Sequence, residues 1–103
     1  MTVKVKSVYE DLKYENADEM LIKARLVTEI ADQIRLRGLT QTEASELLGF
    51  SQPKLSNLLR GQFRGVSEKK LMECLTRLGR DIEIIVRPAP RSRRAGRITV
   101  EVT

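Results

Sequence analysis

Between Glu46 and Glu68 the chain has no acidic side chain, and Gln52, Lys54, Asn57, Arg60 and Arg64 all fall in that stretch. A glutamine amide can bond an adenine edge twice, and a lysine ammonium can donate to O6 and N7 of guanine. Guanidinium groups match phosphate oxygens. Ser56 and Asn57 suit either base or phosphate, and Lys69 stands just past the stretch. Together these groups could meet a nucleic acid. A second basic run, Arg87 to Arg97, holds five arginines and no acid. Residues 1–37, by contrast, carry seven basic and seven acidic side chains that cancel.

Other chemistries are excluded by what is missing. The chain has no histidine and one cysteine, Cys74. A Ser–His–Asp or Cys–His nucleophile therefore lacks its base, no internal disulfide can form, and a metal site is poorly served. Ser67 to Lys70 spells Ser-x-x-Lys, but Ser67 reads as a helix cap and the companion motifs of a serine acyl-enzyme are missing. Gly61 to Gly65 lacks the lysine and preceding strand of a phosphate-binding loop. No catalytic residue, metal or cofactor is assigned. No apolar run nears the about 18 residues of a membrane span. The N-terminus lacks the apolar stretch of a signal peptide. The expectation is a cytoplasmic protein with no membrane partner.

The polar face needs elements to hold it. A chain of 103 residues suits one domain. A first helix is expected from Asn16, a cap with Glu19 three residues on, to Gly38. Met20, Ala24, Val27, Ala31 and Ile34 form its apolar stripe, widened by Ile30. Thr40 caps a short second helix with Glu43 as capping-box partner, buried positions Ala44, Leu47 and Leu48, and a stop at Gly49. Ser51 caps a third helix, with Pro53 in the first turn, where its missing N–H costs nothing. Leu55, Leu58 and Leu59 are its core face. Ser67 caps a fourth helix with Leu71, Cys74, Leu75 and Leu78 inward and Gly79 as its end. Cys74 reads as a small buried hydrophobe.

After Gly79 the period becomes two. Ile82, Ile84 and Val86 alternate with Glu83, Ile85 and Arg87, and Ile98, Val100 and Val102 alternate with Thr99, Glu101 and Thr103. Both runs read as strands, joined by a long basic loop. The organisation expected is an N-terminal arm over 1–15, mobile or ordered by a partner, a helical domain over 16–79 and a C-terminal β extension over 80–103. The fold class is mainly α, with four to five helices and a C-terminal strand or hairpin.

The spacing from Gln41 to Leu58 carries the fold reading. Two capped helices meet across Gly49-Phe50-Ser51, a turn short enough to force a steep crossing. Gly49 suits a left-handed position. Close packing wants a small residue four before it and a branched apolar residue six after, where Ser45 and Leu55 stand.

The run Gly38 to Ser56 resembles the lambda-repressor-like XRE helix-turn-helix. The continuation Leu58 to Ser67, then Leu78 to Ile84, resembles the branch that includes HigA-type antitoxins, and the resemblance covers about residues 10–87. Ser45 departs from the usual alanine, but its hydroxyl can bond back to a helix carbonyl. The resemblance implies an operator-binding repressor whose third helix enters the major groove. Gln52, Pro53, Lys54 and Asn57 would meet base edges. Gln41, Thr40, Ser51, Ser56, Arg60, Arg64 and Lys69 would support them or hold phosphate. It also implies a second partner, a basic RNA-cleaving toxin of the HigB/RelE-like kind, facing Tyr9, Leu12 and Tyr14 on the acidic N-terminal arm. A stand-alone regulator of the same family is the alternative.

One helix-turn-helix covers about half an operator, so a two-fold homodimer is expected. An isolated pair of strands is marginal in water. Pairing of Ile82–Arg87 with a second subunit would bury Ile82, Ile84 and Val86. A private hairpin with Ile98–Val102 is the competing arrangement.

Overall fold

The computed structural model describes residues 2–4 and 15–103, with side chains from Glu19 onward. Strand β1 (Thr2–Lys4) is followed by helices α1 (Glu15–Leu36), α2 (Gln41–Leu48), α3 (Gln52–Leu59) and α4 (Glu68–Arg77), and by strand β2 (Thr99–Glu101). No described helix is long and apolar enough to cross a membrane.

Local chemistry explains the helix starts. Thr40 Oγ1 accepts from Glu43 N at 3.1 Å, while the Glu43 carboxylate accepts from Thr40 N at 2.9 Å. This satisfies two backbone donors at the start of α2. The backbone bond, then the hydroxyl bond, to Thr40 holds the Glu43 carboxyl below its ordinary pKa. Ser51 accepts from Lys54 N to start α3. Ser67 accepts from Lys70 N at 3.1 Å to start α4, so the Ser-x-x-Lys pattern is a cap.

Ile30, Leu48, Leu55, Leu58, Leu71 and Cys74 are fully enclosed at the centre, where α1, α3 and α4 converge. Burial pushes the Cys74 thiol pKa up. The α1 stripe is wider than its periodicity suggests. Leu26 is buried with Val27, Ile30 and Ile34, while Met20 and Ala24 are half-buried. The reason is that α1 packs against α3 and α4 and also against the two strands. Enclosure from several sides also buries the charges Lys23, Arg25 and Glu29. Lys23 Nζ donates to the Arg64 carbonyl at 2.8 Å and lies 3.3 and 3.7 Å from the carboxylates of Glu19 and Glu68. It thus ties the α3–α4 loop to α1. Helix α1 begins at Glu15, so Asn16 lies inside its first turn.

The C-terminal region corrects the hairpin expectation. Residues 80–98 contain no strand, and β2 pairs antiparallel with β1, with Val3 opposite Val100. The start of the expected N-terminal arm is therefore one strand of a two-stranded sheet. Pro88 and Pro90 come just after the Ile82–Arg87 run, and proline gives a ladder no donor. Tyr9, Leu12 and Tyr14 lie outside the described residues.

Candidate nucleic-acid interface

The turn between α2 and α3 sets the geometry. Gly49 adopts φ 76°, ψ 28°, and both Gly49 N and Phe50 N bond the Ser45 carbonyl, at 2.9 and 3.0 Å. This left-handed closure satisfies the carbonyl end of α2 and turns the chain into Ser51. Ser45 is buried, and its hydroxyl donates to the Thr42 carbonyl at 2.8 Å, so the serine is accommodated without an orphan group. Lys70 Nζ and Arg77 Nη1 from α4 donate to the Leu48 and Leu47 carbonyls, each at 3.2 Å. Two cations thereby sit at the negative end of α2. Gly49→Ala would force an L side chain into the left-handed region beside Arg77 Nη1, which a Cβ would meet at 3.4 Å. The expected loss is about 1–2 kcal/mol, read as a lower urea midpoint with an unchanged slope; an unmoved midpoint would refute the turn's role.

Leu55 and Leu58 anchor α3 with no exposure, and this fixes what the helix shows to water. Pro53, Asn57 and Arg60 fall opposite them, at successive helical turns. Gln52 and Lys54 flank Pro53 at the N-terminal end. Gln52, Pro53, Lys54 and Arg60 are exposed, while Ser56 and Asn57 are half-buried. The first turn of α3 has no acidic residue, so its positive dipole end adds to the attraction for an anion. Thr40, Gln41 and Ser51 are exposed at the starts of α2 and α3. Arg64 is exposed on the loop that Lys23 tethers, and Lys69 is exposed on α4.

Two contacts were not read from the sequence. Arg60 Nη2 donates to Asn57 Oδ1 at 2.6 Å. The bond occupies the Asn57 oxygen and leaves its amide NH₂ free to donate. The i, i+3 spacing of the pair was the available signal. Phe50 is half-buried at the turn, with Lys70 Nζ 5.1 Å and Lys54 Nζ 5.8 Å from its ring centroid. An aromatic ring so placed attracts each cation by about 0.5–1 kcal/mol at an exposed site. It steers Lys54 without pairing it to a carboxylate, and the ammonium keeps its donors.

The arrangement can therefore place amide and ammonium donors at one end of a supported helix, with guanidiniums beside them. Residues 8–87 match the family model of a helix-turn-helix domain. Among solved structures, a protein assigned as an XRE family transcriptional regulator is similar at 39% identity and TM-score 0.79. The match covers 85% of this chain and 99% of that one. No curated protein matches.

Proposed function

Because the chain belongs to the XRE-type helix-turn-helix family of DNA-binding regulators, we propose that it is a repressor reading operator DNA with α3, and that two copies act together. The observation that carries the reading is the exposed row Gln52, Pro53 and Lys54 with Asn57 one turn on, in a stretch free of acid. Base edges are met by Gln52, Pro53, Lys54 and Asn57. Gln41, Thr40, Ser51 and Ser56 support them, and Arg60, Arg64 and Lys69 hold phosphate. A reporter driven by the chain's own upstream region tests the repressor role. Repression should require Gln52 and Lys54, and equal output with and without the protein would refute it.

The dimer reading rests on apolar side chains that face water in the single chain. Ile84 is 77% and Val86 92% exposed, with Ile82 at 36%. Alternating chemistry without a ladder partner among the described residues suits pairing with the same segment of a second copy. Ile84→Asp combined with Val86→Asp should give a monomer at micromolar concentration by sedimentation velocity, with helical content unchanged. A dimer that persists would move the interface elsewhere.

The resemblance to HigA-type antitoxins supports a further partner, a basic HigB/RelE-like ribonuclease toxin facing Tyr9, Leu12 and Tyr14. The description of the solved relative names transcriptional regulation alone, and a stand-alone regulator is the alternative reading. Co-expression with the adjacent reading frame separates the two. Growth arrest relieved by this chain supports the antitoxin, and a harmless neighbour supports the regulator.

A further inference from the structure

The chain has 19 basic and 14 acidic side chains and a net charge of +5. Five of those bases are Arg87, Arg91, Arg93, Arg94 and Arg97, in a segment with no acid. The remaining fourteen bases are matched by the fourteen acids, so this segment alone accounts for the net charge. The rest of the chain is balanced as a whole, and its helical residues 16–79 hold ten bases against eight acids, so most of the net attraction for a polyanion sits in this segment.

The fold holds both ends of the segment and leaves most of its middle out, with Arg93 and Ala95 half-buried. Arg80 is tied to the Thr103 carbonyl and lies 3.9 Å from Glu29, and Thr99 begins β2. Residues 81–98 leave and return between these anchors, and all of 81–92 are exposed. A turn closed by Arg93 N on the Pro90 carbonyl at 3.1 Å puts Arg91 and Ser92 at its bend. Among the described residues none of the five guanidiniums pairs with a carboxylate, and Arg93 Nη1 is enclosed without a hydrogen-bond partner. Half of this excursion, extended, reaches about 30 Å. Neighbouring grooves of a duplex are about half of a 34 Å turn apart.

Side-chain type narrows the target. Every cation here is arginine, although lysine supplies other cations of the chain. Guanidinium is planar and weakly hydrated, and it is favoured where a narrow minor groove concentrates negative potential. The residues between the arginines are Pro88, Ala89, Pro90, Ser92, Ala95 and Gly96, all small or ring-closed. They leave a chain slim enough for a groove about 6 Å wide. This stretch also lies almost wholly beyond the residues that match the family model.

We infer that residues 87–97 form a DNA-binding arm that lays its arginines in the minor groove flanking the site read by α3, with a preference for A·T-rich flanks. The inference rests on the operator-binding reading for its position, and on its own charge and chain chemistry for its ligand. The arm supplies affinity and salt dependence, while α3 supplies the central sequence preference.

The test uses fluorescence-labelled duplexes enriched from a random pool by the full-length protein, rebuilt with A·T, inosine·C or G·C flanks. Inosine·C changes the major-groove face but, like A·T, has no amino group in the minor groove. Wild type should bind the first two alike and the G·C form more weakly. R91A/R93A/R94A/R97A should keep its central preference and lose its flank preference. Its plot of log K against log salt should be shallower by about 3–4 units per protomer. An unchanged slope overturns the arm. A shallower slope with no flank preference in wild type overturns the minor-groove placement, leaving phosphate contact only. Loss of central preference in wild type would instead strike the α3 reading, and the arm would still be judged by its slope on a mixed-sequence duplex.

Discussion

Leu55→Ala should lower stability by about 2–5 kcal/mol, the larger of two effects expected from α3. Leu55 is fully enclosed beside Leu48 and Leu58 in the single core of the domain. Truncation removes its dispersion contacts and leaves a cavity beneath the helix that shows Gln52 and Lys54 to solvent. Native stabilities of small domains are about 5–15 kcal/mol, so much of the total is at stake. For a chain this size each kcal/mol moves the melting midpoint by about 4–8 °C. Calorimetry should show a fall of at least about 8 °C, and a shift of only a degree or two would mean that α3 is not anchored through Leu55. DNA binding below the lowered transition should weaken too, since the reading helix loses its support.

Gln52→Ala with Lys54→Ala should act in the opposite way, on binding and not on folding. Both side chains are exposed, and surface changes of this kind stay within about 0.5 kcal/mol. Each lost base contact removes about 1–3 kcal/mol of discrimination. The pair should therefore reduce preference for the selected duplex about 30-fold or more at fixed salt. Lys54 also removes one cation from the Phe50 ring, so a minor change in the turn accompanies it. Retained preference in the double variant would mean that another surface reads the bases.

What could be read from the sequence was local. Thr40 with Glu43, Ser51, Ser67 and Gly49 are short-range devices, and each acts as its spacing indicates. Leu55, Leu58, Leu71 and Cys74 are enclosed because helical periodicity leaves them no other side. Contacts between distant segments were not legible. The pairing of Thr2–Lys4 with Thr99–Glu101 joins the two ends of the chain, and no local pattern names a strand's partner. The Ile82–Val86 alternation has strand chemistry, but alternation cannot say whether a partner exists within the same chain. The burial of Lys23 and Glu29 was hidden for the same reason, because their surroundings come from Glu68, Arg64 and Arg80. At the candidate interface, residue types and exposure were legible. The Asn57–Arg60 bond and the Phe50 platform depended on rotamers that spacing only permits.

The most direct measurement is selection of duplexes from a random pool by the wild-type protein. Titration of the winner against a scrambled duplex across a salt series then completes it. The expected outcome is a two-fold symmetric site with half-sites about one helical turn apart. It should be preferred over the scrambled duplex at every salt concentration, and affinity for both should fall as salt rises. A pool that yields no shared sequence, or equal binding of both duplexes, would contradict a reading helix at Gln52–Leu59.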